Sequence, residues 1–143
     1  METDTVKLLE EIDRGCEMAE NSFRQILQYS MEDRLAGVIK KYQKKHEEIQ
    51  KEASGLLHEQ GGRDKNPNSI TEAMSWITTE MKMMLKKDGT QIAKLMMDGC
   101  NMGMQTMGEK MSQFPQASKE AGALAKKLMK TEEEFLSEVK EFL

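Results

Sequence analysis

The sequence predicts an all-α protein, and three observations carry that prediction. Charged residues make up 32% of the chain and aromatic residues only 5%, alongside a steady supply of Leu, Ile, Ala, Met, Glu and Lys, which is the composition of long amphipathic helices. Only two prolines are present to interrupt them. Apolar residues recur at alternating spacings of three and four along several separate stretches, and that rhythm follows one side of a helix. With 143 residues, the chain is expected to form one domain over 1–143. A domain of this size buries about 68–70% of the surface that its unfolded chain exposes.

The first helix is expected from about residue 5 to 29, with Leu9, Ile12, Cys16, Ala19, Phe23 and Ile26 on its buried side. Ser30 is expected to cap the second helix, with Asp33 near its positive end. The buried stripe of that helix is Leu35, Ile39, Tyr42, His46, Ile49, Ala53 and Leu56. It ends at Gly61-Gly62, which tolerate the left-handed conformation of a C-cap.

"GGRDKNPNS" is the one loop with strong turn chemistry, and the "SITE" at its end reads as a capping box between Ser69 and Glu72. A shorter helix follows, with Ile70, Met74, Ile77, Met81 and Met84 in line, Trp76 beside them, and an end near Asp88-Gly89. The next stretch contains "MMDGCNMGMQTMGEKM" and carries Ala93, Met97, Cys100, Met104, Met107, Met111 and Phe114 on one stripe. Pro115 ends it, since a residue before proline is pushed out of the helical region. The last helix presents Ala121, Leu124, Leu128, Thr131, Phe135 and Phe142, with Val139 adjacent.

Four of these segments are roughly 25 to 29 residues long, or about 37–44 Å at 1.5 Å per residue. Matched lengths suit an antiparallel four-helix bundle. The connections near residues 30 and 115 are short enough to demand antiparallel neighbours, whereas the path from 61 to 90 can cross the bundle and holds the short extra helix.

Several function classes are disfavoured at this level. The formal charge of −4 argues against nucleic acid, because phosphate contacts need concentrated Lys and Arg. The basic cluster "KKYQKK" is followed directly by "HEEIQKE", which marks a solvated helix face with ion pairs one turn apart. The acidic start "METDTVKLLEEID" does not read as a signal peptide, and no stretch approaches the ~18 apolar residues of a membrane span. A cytoplasmic protein is expected, with Cys16 and Cys100 as reduced thiols.

The "LLEEIDRGCEMAENSFRQIL" first helix, the "GG…NPNSITEAMSWI" crossover and the "FPQASKEAGALAKKLMKTEEEFL" ending together resemble the ferritin-like superfamily, and more narrowly its small bacterial four-helix proteins. The resemblance covers nearly the whole chain through pattern rather than a diagnostic motif. It implies a di-metal carboxylate site with one Glu from each of two helices and a Glu-x-x-His pair from each of the other two. This chain departs from that pattern. Its two histidines, His46 and His58, are preceded three residues earlier by Gln43 and Gly55, and the final helix has Glu134-x-x-Ser137. The usual ligands are therefore missing. A remnant carboxylate site would need Glu20, Gln43, His46, Asp98 and Glu134 to converge.

The methionine-rich helix raises a different site. Thioether and thiolate ligands are soft and favour copper(I), or zinc where thiolates and imidazole dominate. Cys16, His46 and Cys100 each lie near the middle of a long helix, so antiparallel packing would bring them to similar depth, with Met104 and Met129 as further soft neighbours. The plainer reading is that methionine fills a core, cysteine acts as a small hydrophobe, and His46 is a buried histidine bonded to Tyr42 or a carboxylate. Gly99, Gly103 and Gly108 each cost about 1 kcal/mol relative to alanine inside a helix. They imply close packing, or a groove in which glycine and flexible methionine accommodate a partner helix or an apolar ligand. Met83 falls off its stripe and would add to an exposed surface.

No nucleophile-base constellation can be assigned with so few histidines, neither cysteine sits at a helix N-terminus, and no phosphate-cradling loop occurs. The carboxylates of "KTEEEFLSEVKE" read as solvated, with an inward turn left open for Glu133 and Glu134. The expectation is a non-enzymatic structural or protein-interaction module without a cofactor, a homo-oligomer such as a dimer or a partner of another protein through a helical face. The alternatives are a copper or zinc protein using Cys16, His46, Cys100 and Met104, and a remnant di-iron carboxylate protein.

Overall fold

The computed structural model describes residues 2–61, 77–85 and 89–143. Among them are five α-helices: α1 (Glu2–Ile26), α2 (Asp33–Glu59), α3 (Thr79–Leu85), α4 (Gly89–Gln113) and α5 (Lys119–Val139), with a closing 3-10 turn over Lys140–Phe142. No strand occurs among the described residues. The all-α expectation is met, and no helix of the described residues is long and apolar enough to cross a membrane.

Cross-helix pairs join the long helices and fix the relative direction of two of them. Lys41 pairs with Glu138 at 3.0 Å and Lys127 with Glu52 at 2.9 Å, so α2 and α5 run antiparallel. Gln50 donates to Asp13 and Glu17 at 3.0 and 2.7 Å, joining α2 to α1. Lys110 reaches Glu11 at 3.8 Å across α4 and α1. At one end the amides of Gln116 and Ser118 donate to Asp4 and Thr5 of α1, at 2.9 and 2.8 Å. The Ser118 hydroxyl meanwhile accepts from the amide of Ala121 and caps α5.

Several local expectations need correction. Glu32, not Ser30, precedes the first turn of α2, and its side chain makes no capping bond. Leu57 rather than Leu56 is buried at the far end of that helix. On α4 the buried edge is rotated toward Ile92, Met96, Cys100 and Met107, leaving Met97 and Met104 half-buried. The rotation follows the bulk of Ile92, Leu95 and Met96, which seat the start of α4 in the core. Gly61 does adopt a left-handed φ of 72° after α2, a conformation that glycine takes without steric cost. The proposed capping box at Ser69 and Glu72, together with Gly62, Ile70, Met74, Trp76 and Asp88 and the side chain of Met84, lies outside the described residues. Within α3, Met83 is 62% exposed, as its position off the stripe predicts.

The core divides into two clusters. One contains Phe23, Ile39, Tyr42, Met96, Cys100 and Phe135 among others; the second contains Leu9, Ile12, Cys16, Ile49, Met107 and Leu128. On each long helix the facing members of the two clusters, Cys16 and Phe23, Tyr42 and Ile49, Cys100 and Met107, Leu128 and Phe135, are two helical turns apart. In the turn between them no large apolar residue is fully buried, Met18 and Met104 being half-buried and Met102 exposed. The facing positions of that turn hold Ala19 on α1, His46 on α2, Gly103 on α4 and Glu132 on α5.

Candidate functional site: a charged layer beneath a methionine-lined cleft

His46 and Glu132 are the centre of this layer, with 1% and 7% of their surfaces exposed. His46 occupies a core position of α2, in register between Tyr42 and Ile49. Glu132 occupies the equivalent position of α5, four residues after Leu128 and three before Phe135. The two side chains meet through His46 Nε2 and Glu132 Oε1. The other ring nitrogen, Nδ1, lies 2.6 Å from the carbonyl oxygen of Tyr42. A carbonyl can only accept, so Nδ1 carries a proton; with a carboxylate at Nε2, the ring donates at both ends as an imidazolium.

The electrostatics agree with that assignment. Burial alone lowers the proton affinity of His46, but the charge of Glu132, its hydrogen bond, the Tyr42 carbonyl and Glu20 together raise it above the ordinary histidine value. The Phe23 ring packs edge-on to the imidazole at 5.2 Å, and Phe23 in turn meets Phe135 at 5.6 Å. The aromatic walls hold the imidazolium in one place. Tyr42 completes this side by stacking on Phe135 at 4.7 Å and donating its hydroxyl to Glu138.

Glu132 fits only because α4 lacks a side chain opposite it. A Cβ at Gly103 would stand 2.9 Å from Glu132 Oε2 and 3.3 Å from Cγ and Cδ, closer than such contacts normally come. Glycine here is a close-approach residue. Above the pair, between α1 and α4, lies a cavity of about 110 Å³, walled by Met18, Met102, Met107 and Leu128 and by Gly15, Gly99 and Gly103. A smaller recess adjoins it through Ala19, Gly99 and Glu132 and reaches Cys100 and Phe135. Met102 is 46% exposed at the outer wall.

A separate polar seam runs along α1. Asp13 and Glu17 share the amide of Gln50, whereas Glu20 Oε1 is buried with no hydrogen-bond partner. Burial, then the neighbouring charges of Glu17 and Glu47, push the Glu20 carboxyl up to about 6, against the opposing pull of His46 and Arg24. Both thiols are pushed well above the ordinary cysteine range, first by burial and then by Glu132. They are held in the protonated form.

The predicted metal residues are distributed as follows. Cys16 belongs to one core cluster and Cys100 to the other, His46 lies between and is engaged at both nitrogens, and Met104 is half-buried. The remnant carboxylate set does not converge. Asp98 lines a surface depression with Met81 and Leu85, while Glu134 sits in another beside Lys45 and Lys130. Among the described residues, no group of three or more His, Cys, Asp and Glu side chains is placed to hold a metal ion. The described residues do not fit a di-metal centre.

Glu132 is the residue that sequence reasoning missed. The inward carboxylate falls one position before Glu133, and Glu133 and Glu134 are exposed. Its signal was the core register of α5, where Leu128, Glu132 and Phe135 follow the four-three spacing. Compared with known proteins, the chain matches no family model, no curated protein and no solved structure.

Proposed function

We propose that this protein is a non-catalytic binding module, a ferritin-like four-helix bundle without metal ligands, and that the cleft between α1 and α4 receives a small apolar guest. One observation carries the reading: the core is interrupted at mid-height by small residues and a buried ion pair, leaving an open cavity of about 110 Å³. Filling such a layer with large aliphatic side chains would stabilise the fold by about 1.5–3 kcal/mol for each one buried. A buried ion pair does not stabilise better than apolar packing. Stability alone therefore gives no reason for the arrangement, and accommodation of a guest does.

The walls suit that role. Methionine is flexible and polarisable and adapts to irregular apolar shapes, and Met18, Met102 and Met107 surround the space. Catalysis has less support: His46 is engaged at both ring nitrogens, and the two thiols are buried and protonated. The test is xenon, which enters apolar cavities of this scale. Protein labelled at the methionine methyl groups is expected to show xenon-dependent shifts at Met18, Met102 and Met107, with α3 methionines unmoved. Sedimentation of the same samples checks self-association. A dimer that Met102→Lys dissociates, with no xenon shifts, would put a second copy of the chain in place of the guest.

A further inference from the structure

The inner end of the cleft is not apolar, and its chemistry selects among guests. Glu132 contributes to the wall of both the main cavity and the adjoining recess. Its Oε1 is engaged by His46, while Oε2 lies against Gly103 and receives no hydrogen bond from the described residues. An ionised carboxylate is purely an acceptor, and an anionic oxygen beside a largely apolar cleft gains from any donor that reaches it. The required guest group is therefore a donor.

Charge and size narrow the class further. The imidazolium of His46 already balances Glu132, so a cationic donor would add an uncompensated charge to a low-dielectric site, and an anion would face Glu132 directly. A neutral O–H meets the need. The cavity of about 110 Å³ is smaller than the roughly 150 Å³ apolar cavity that holds benzene, so the guest is small, and the flexible methionine walls suit an alkyl chain. Resting on the cleft reading above, we infer that the cleft binds a small neutral aliphatic alcohol, its hydroxyl donating to Glu132 Oε2 and its alkyl chain lying along Met18, Met102, Met107 and Leu128.

The experiment is an NMR titration of the full chain with 1-butanol and, separately, 1-chlorobutane, a probe of similar shape that cannot donate. The His46 ring protons and the methionine methyl groups are the readouts. The expected result is saturable binding of 1-butanol at least tenfold tighter than 1-chlorobutane, with the His46 signals moving only for the alcohol. Glu132→Gln is expected to erase that tenfold preference. Gly15→Ala supplies a variant that keeps the ion pair, because its added methyl group meets only Leu128 and Met107 at 3.9 Å; it narrows the cavity and is expected to weaken both probes. Equal binding of the two probes overturns the hydroxyl assignment and leaves the apolar cleft standing. Unchanged binding in Gly15→Ala overturns the location. Absence of shifts with either probe overturns the inference; if xenon enters, the cleft reading survives, and if xenon is also excluded, both fall.

Discussion

His46 of α2 and Glu132 of α5 form a buried ion pair at the level where the apolar core divides in two. The partners are 86 residues apart in sequence, so the pair exists only in the folded chain. Removing one partner leaves the other charged and unpaired in the core, which costs about 3–5 kcal/mol. His46→Leu is expected to destabilise by that order in urea denaturation. The double variant His46→Leu/Glu132→Leu is expected to recover most of the loss, giving a large favourable coupling in the double-mutant cycle. Additive losses would mean that the two side chains do not act as a pair.

Stability is expected to fall as the solution becomes alkaline. His46 has a folded-state proton affinity raised above its unfolded value, so its contribution is complete below about pH 6.5, the ordinary histidine value, and is lost as pH rises through the higher folded value. Glu20 acts in the same direction. Its carboxyl is raised from 4.5 to about 6, so the folded state binds the proton more tightly and stability declines as pH climbs across that interval. Glu20→Gln is expected to stabilise the protein above pH 6 by about 1 kcal/mol or less, given the partial exposure of the group, and to change little at pH 4. Urea midpoints across pH 4–9 would check both; a flat wild-type profile would contradict the assignment.

Gly15 and Gly103 both lie in the cleft wall, yet alanine is expected to act oppositely at the two. At Gly15 the new methyl group finds ordinary contacts at 3.9 Å, so the better helix propensity of alanine should stabilise by about 0.5–1 kcal/mol. At Gly103 the methyl group would stand 2.9 Å from Glu132 Oε2, and Glu132 cannot withdraw without releasing His46. A net loss of about 1–3 kcal/mol is expected, the usual range for overpacking. Thermal unfolding of the two variants reads both signs.

Cys16 and Cys100 are buried, with both thiols held protonated. Only a thiolate attacks a disulfide reagent. In native protein at pH 8, neither cysteine is expected to react with an aromatic disulfide over minutes, while both react at once in denaturing urea. Rapid reaction of one native thiol would show that its part of the core opens readily.

The positions of the four long helices were legible in the sequence because the three-four rhythm and the glycine and proline stops are local signals. Burial of Tyr42, His46 and Ile49 followed from that rhythm alone, and the engagement of His46 by Tyr42 and a carboxylate was anticipated in kind. The identity of that carboxylate was not. Glu132 reads as one member of a solvated acidic run, and only the absence of a side chain at Gly103, on another helix, makes room for it. Rotation of α4 was hidden for a similar reason. Met96 and Met97 are equivalent in composition, and the packing of Ile92 and Leu95 in the core selects between them. The cleft is likewise a product of small residues on two helices, and no single stretch announces it.

The charged layer is the foundation of both the binding cleft and the stability predictions, and the nitrogen-15 resonances of the His46 ring test it most directly. At pH 7 both ring nitrogens are expected to carry protons, with Nε2–H coupled by hydrogen bonding to Glu132 and the imidazolium persisting above the ordinary histidine range. A neutral His46 ring at pH 7, with one unprotonated nitrogen, would contradict the ion pair and with it the polar end of the cleft.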